Sequence, residues 1–215
     1  MNYSQTIDYL NDFVNYEKER DFEYSRAMTL DRMKLLARQL GNPQNAYECV
    51  TIAGSKGKGS IAAMVASILR AESYRVGLYT SPHLLNLRER ITVGGVMISE
   101  ARFCEGIDRL RHVLDDAVWR RQMPTYFEML TALAFWYFKE VKVHAAVLEV
   151  GLGGLFDSTN IADPRVVGIA PISLDHTELL GKTISKIAVQ KCGIIKGRQI
   201  VVTSPQKSEA MAVIE

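Results

Sequence analysis

The chain has 215 residues, 47% hydrophobic and 23% charged, which is ordinary for a soluble globular protein with a sizeable core. A formal net charge of +2, with no basic patch interleaved with aromatics, excludes nucleic acid or an anionic membrane as the expected partner. No apolar run is long enough to cross a bilayer and Met1 to Asp8 lacks the pattern of a signal peptide, so a cytoplasmic location is expected.

Residues 4–41 read as one or two helices, the second from about Thr29 to Leu40 with Leu30, Met33, Leu36, Ala37 and Leu40 on one face. Gly41-Asn42-Pro43 stops it. A strand-like run from Cys49 to Ala53 leads into Gly54-Ser-Lys-Gly-Lys-Gly-Ser60, and a helix-like run from Ile61 to Ala71 follows. A glycine-rich turn between strand and helix lets backbone N–H groups converge on an anion, with the helix N-terminus and Lys58 adding positive charge. The strict P-loop pattern fails, because Ile52 stands at its first glycine and Gly59 follows the lysine. A basic surface loop remains the plainer alternative.

A short strand, Val76 to Tyr79, ends in Thr80-Ser-Pro-His83. Ile91 to Ile98 reads as a hairpin around Gly94-Gly95, and Ser99 caps a helix to about Val118. Thr125-Tyr-Phe-Glu128 fits a capping box opening an aromatic-rich helix to Lys139. Ala145 to Val150, Val166 to Ile172 and Ile200 to Thr203 are continuous apolar runs, as in strands buried on both faces. The alternation of strand and helix from 48 to 203 predicts an α/β fold with a mostly parallel sheet flanked by helices. Ligands of such sheets bind beyond the carboxyl ends of the strands, where Gly54–Ser60, Ser81–His83, Glu149–Thr159 and Asp175-His176 accumulate.

A carboxylate within Val147-Leu-Glu-Val150 is costly unless paired or bound to a cation, so Glu149 is a candidate magnesium ligand, or else a partner of an arginine or backbone cap. Gly151 to Asn160 is a glycine-rich loop that can bring Asp157 to a ligand, or an ordinary tight surface loop. His176 is a candidate metal or phosphate contact, or a surface histidine. Three widely spaced cysteines, Cys49, Cys104 and Cys192, argue against a disulfide framework or zinc site and read as buried apolar thiols.

Taken together, these blocks resemble the folylpolyglutamate and dihydrofolate synthases, within the Mur-type ATP-dependent ligases. The resemblance rests on Gly54–Ser60, Tyr79–Leu84 with Arg88–Ile91, Thr125–Glu128, Glu149–Gly154, Asp157–Asn160, Asp175-His176 with Leu180-Gly181, and Lys191–Lys196, in one order along nearly the whole chain. It implies a P-loop-like Mur ligase central domain that ligates L-glutamate to a folate-type carboxylate, a reduced folate or dihydropteroate, through an acyl phosphate. By the same resemblance Gly54, Ser55, Lys56, Gly57, Lys58, Gly59 and Ser60 bind ATP. Ser81 and Glu149 ligate one Mg²⁺, and His176 a second beside Lys191, which matches a lysine carbamylated in this group. Lys58, His176 and Lys191 are then the catalytic set. Arg88, Arg90 and Asp157 are candidate folate contacts.

The chain departs from the family pattern at Ser55-Lys56 and at Cys192. The expected organisation is a helical segment at 1–45 and an incomplete ATP-binding domain at 46–215. The family's C-terminal Rossmann-like domain is expected to be absent, inefficient turnover and an exposed sheet edge following from that, with a full-length protein monomeric. A Mur-type ligase for a cell-wall precursor and a non-catalytic nucleotide-binding fragment are the alternative readings.

Overall fold

The structure is a computed structural model that describes residues 1–18 and 29–215. Residues 19–28 of the expected N-terminal helical segment lie outside the described residues. Seven strands form one sheet: β1 (Glu48–Ala53), β2 (Val76–Tyr79), β3 (Ile91–Val93), β4 (Val96–Met97), β5 (Ala145–Glu149), β6 (Val166–Ile169) and β7 (Ile200–Thr203), in the order β4-β3-β2-β5-β1-β6-β7. β2, β5, β1, β6 and β7 pair in parallel, and β3 and β4 add an antiparallel hairpin. The hairpin turns at Gly94 and Gly95, both at positive φ.

The helices are α1 (Tyr3–Asn11), α2 (Leu30–Gln39), α3 (Lys58–Ala71), α4 (Glu100–Leu114), α5 (Tyr126–Glu140), the short α6 (Thr177–Leu180), α7 (Ile184–Cys192) and α8 (Ser208–Ile214). α4 stops at Leu114, short of the expected Val118, because Asp116 accepts from the Val118 backbone N–H and opens a separate 3₁₀ turn at Ala117–Arg121. β6 ends at Ile169 rather than Ile172, Pro171 having no N–H to continue a ladder.

α5 is buried almost all round, which explains its apolar sequence. Its Met129, Leu130, Leu133 and Phe138 join Leu10, Met33 and Leu36 of α1 and α2, Phe103 and Ile107 of α4, and Ala146 and Leu148 of β5 in one large core. Val147, between those two β5 residues, points to the other face with Ile52, Ala62 and Val76. Each large apolar side chain so buried contributes roughly 2 kcal/mol. A separate cluster joins Val167 and Ile169 of β6 to Ile187, Ala188 and Ala210 of α7 and α8. Cys49 and Cys104 are buried and Cys192 is half-buried; burial pushes the Cys49 thiol up to about 12 and Cys192 to about 11, so neither is a reactive thiolate at neutral pH.

Candidate nucleotide and metal site

Parallel pairing sets the site. Ile52 lies beside Glu149, Tyr79 beside Leu148 and Ala53 beside Ile169, so the loops after β1, β2, β5 and β6 leave the sheet at one edge. The loop after β1 runs into α3, whose N-cap, Gly57, has φ 80° and no capping side chain. Gly57 thus offers no side-chain cap, and in the first turn of α3 the Gly59 N–H is directed to the Glu149 carboxylate; N–H groups at such a helix start suit an anion. Gly54, at φ 144°, packs so closely that an added Cβ would stand 2.5 Å from Ala170 Cβ.

The polar residues of the loop differ in their surroundings. Ser55 donates its backbone N–H to Pro171 O and its hydroxyl to Ser173 O, and accepts from Ser173 N, tying the loop to the chain after β6. Lys56 and Ser60 are exposed. Lys58 is half-buried and, among the described residues, makes no ion pair.

Glu149, 6% exposed, accepts from Ser81 N at 3.1 Å and from the Gly59 backbone. A Cβ added at Gly59 would lie 3.2 Å from Glu149 Oε2, so the start of α3 approaches this carboxylate closely. Burial raises the Glu149 pKa, and the Ser81 N–H and the Lys58 charge oppose the rise. Among the described residues Glu149 has no ion-pair partner, although the group is a buried carboxylate. No cluster of three His, Cys, Asp or Glu side chains that could hold a metal exists among the described residues. A buried carboxylate with Ser81 bonded to it and the start of α3 close by is a donor set that could hold Mg²⁺, which keeps waters and phosphate oxygens as most of its ligands.

Lys191, 2% exposed, reaches the same loop from the last turn of α7. Its Nζ donates to Gly54 O at 3.0 Å and lies 3.6 Å from Asp175 Oδ2. Burial, then the Lys58 charge, lowers its pKa to about 8, with Asp175 opposing. The neutral amine is therefore far more accessible near neutral pH than that of an ordinary lysine. His176, at φ 46°, caps α6 with its Nε2 3.5 Å from Asp175 Oδ1. Asp175 thus stands between Lys191 and His176, a bridging role not legible in the sequence, where it was only the residue before a histidine.

The three candidate folate contacts are held by the protein itself. Asp157, 5% exposed, accepts from Gly151 N, Leu152 N, Thr159 N and Thr159 Oγ1, which occupies both carboxylate oxygens in shaping the glycine-rich loop. Arg90, 1% exposed, donates from both terminal nitrogens to Glu17 at 2.7 Å and from Nε to His83 Nδ1 at 3.0 Å. Burial, then the Arg90 charge, lowers the His83 pKa, which suits an imidazole nitrogen that accepts. Arg88 donates to Ile98 O, lies 3.6 Å from Glu100 and stacks over Tyr3. Glu89 accepts from Leu84, Leu85 and Asn86 N–H groups and so fixes the loop that carries Ser81 to Arg90. Glu128 completes the capping box with Thr125 and also accepts from Arg32.

No protein-family model matches the chain. A dihydrofolate synthase/folylpolyglutamate synthase of Bacillus subtilis is 39% identical over 211 residues, 94% of this chain and 49% of that protein. A folylpolyglutamate synthase of Lacticaseibacillus casei is 38% identical over 217 residues, 100% of this chain and 49% of that protein. Among solved structures, a folylpolyglutamate synthase complex with AMPPCP and folate superposes with a TM-score of 0.90 at 38% identity, over 100% of this chain and 51% of that one. The chain therefore spans about half the length of the curated relatives it matches.

Proposed function

We propose that this chain, whose close homologues are folylpolyglutamate and dihydrofolate synthases, forms the nucleotide-binding half of an ATP-dependent ligase joining L-glutamate to a folate-type carboxylate. The observation that carries the reading is the convergence of Lys58, Glu149 and Lys191 on one glycine loop. The N–H groups of Gly57 to Ser60 cradle the phosphates, and Lys58 stabilises charge on the transferring phosphoryl group. The substrate carboxylate takes the γ-phosphoryl group from ATP, releasing ADP; the glutamate amine then attacks the acyl phosphate, releasing phosphate and a proton as the amide forms.

Glu149 and Ser81 would hold one Mg²⁺, whose charge neutralises the phosphate oxygens. Lys191, neutral in part, would take up CO₂ as a carbamate with loss of one proton, and that carboxylate with His176 would hold the second Mg²⁺. Arg90, Arg88 and Asp157 act by holding the loops against which a pteroyl group, from dihydropteroate or a reduced folate, would lie. No helix among the described residues is long and apolar enough to cross a membrane. The full-length protein is taken to be a monomer.

The test replaces the matching half of the Bacillus subtilis relative with this chain and follows ADP release. The expected result is release that needs both a folate-type acceptor and glutamate and is lost in Lys58→Ala. Release indifferent to the acceptor would contradict the reading.

A further inference from the structure

The segment that leaves β6 is the wall against which the glycine loop rests. Ala170 N donates to Ala53 O at 2.7 Å and Ser55 N to Pro171 O at 3.0 Å, while the Ser55 hydroxyl donates to Ser173 O and accepts from Ser173 N. Ala170 is also the residue that a Cβ added at Gly54 would meet. Asp175 and His176 follow on the same segment. Whatever fixes residues 170–173 therefore fixes the turn that carries Lys58.

β7 does not fix them by strand pairing. Its last ladder partners are Thr203 and Ile169, and the Ser204 N–H then reaches back to Ile169 O. Beyond that point Pro171 has no N–H to offer. The side chain of Gln206 takes over: its Oε1 accepts from Ile172 N at 3.0 Å, and its Nε2 donates to Ala170 O at 3.1 Å and to Thr203 Oγ1 at 3.0 Å. One amide thus brackets Pro171, donating on one side and accepting on the other, as the peptide group of a neighbouring strand would. Its orientation is set by chemistry, because the reversed amide would put an NH₂ group against the Ile172 N–H.

A role in starting α8 does not explain this residue. Gln206 precedes that helix, but among the described residues its side-chain bonds run only to residues 169–172, 203 and 204, and the N-cap, Lys207, makes no side-chain cap. Gln206 also lies beyond Lys196, where the sequence blocks that carried the functional reading end.

We infer that Gln206 is a positioning residue of the nucleotide site: its amide holds residues 170–172, and through them Gly54 and Ser55, in the shape that receives phosphate. The inference rests on the reading of the glycine loop as that site.

The experiment is calorimetric titration of the whole chain with AMPPCP and Mg²⁺, with amide hydrogen exchange followed by NMR on the same proteins: wild type, Gln206→Met, Gln206→Glu, and Ile107→Val, a change in the core under α4. Gln206→Met keeps the side chain's size and loses its hydrogen bonds, so it should bind about tenfold more weakly than wild type. It should also lose exchange protection at Ser55 and Ala170 while β2 and β5 keep theirs. Gln206→Glu keeps the acceptor for Ile172 N but, when ionised, has no donor for Ala170 O. Its affinity should be low at pH 8 and approach that of wild type at the same pH as acidification protonates the carboxyl and restores a donor. Ile107→Val, destabilised away from the loop, should bind as wild type does. Unchanged affinity in Gln206→Met, unchanged protection at Ser55, no recovery of Gln206→Glu at low pH, or equal weakening in Ile107→Val would each overturn the inference. A wild type that binds no AMPPCP would instead count against the nucleotide reading, and the exchange at Ser55 would still decide whether Gln206 holds the loop.

Discussion

Lys191 and Glu149 are ionisable groups that burial pushes toward neutrality, in opposite directions. For Lys191 the folded pKa of about 8 lies below the ordinary 10.5, so between these values the unfolded chain binds more protons and this group's contribution to stability rises with pH. Relative to Lys191→Met, the wild type should gain about 2–3 kcal/mol between pH 7.5 and 10.5, measured by urea unfolding; a flat difference would show that the lysine is not held in a charge-averse site. Glu149 has the reverse sign, its raised pKa making the ionised form a burden on the apo fold above that pKa. Glu149→Gln should therefore hold or raise stability by up to about 1 kcal/mol while removing the Mg²⁺ dependence of nucleotide binding. The sequence made Glu149 legible because a carboxylate inside an apolar run has few affordable explanations. It did not show the partners of Arg90 and Asp157, since a charge's partner is fixed by folding: Glu17 is 73 positions from Arg90.

Two connections between elements carry the site. The β1-to-α3 turn depends on Gly54, where φ 144° and contact with Ala170 leave no room for a side chain. Gly54→Ala should cost roughly 2–3 kcal/mol and displace the carbonyl that Lys191 meets, seen as a lower unfolding midpoint together with weaker nucleotide binding. The loop after β2 is tied to the N-terminal segment by the Arg90–Glu17 pair, one partner 1% and the other 32% exposed. Glu17→Gln leaves a buried guanidinium without its counter-charge and should cost roughly 2–4 kcal/mol by the same measurement; an unchanged midpoint would show that the pair holds nothing. Element type was legible along most of the chain from apolar runs, caps and glycine pairs. Element ends were less so: the side chain of Asp116 closed α4 early, and Pro171 ended the β6 ladder.

Across the whole molecule, the parallel sheet gathers residues from positions 54 to 191 at the carboxyl ends of its strands, which is why dispersed short blocks carried a functional reading. At one side of the described sheet β7 pairs only with β6, and Ile200 and Val202 are 63% and 59% exposed. An apolar edge of this kind invites pairing between copies. Ile200→Lys with Val202→Lys should lower the sedimentation coefficient or scattering mass of the chain at high concentration; no difference would remove the edge as a site of association. The glycine loop with Lys58 and Glu149 is proposed to be a working Mg²⁺–nucleotide site. The most direct measurement is calorimetric titration of this chain with AMPPCP, with and without Mg²⁺, alongside Lys58→Ala. Binding that Mg²⁺ strengthens and that Lys58→Ala abolishes is expected; binding of equal strength in the variant, or indifferent to Mg²⁺, would contradict a nucleotide site here.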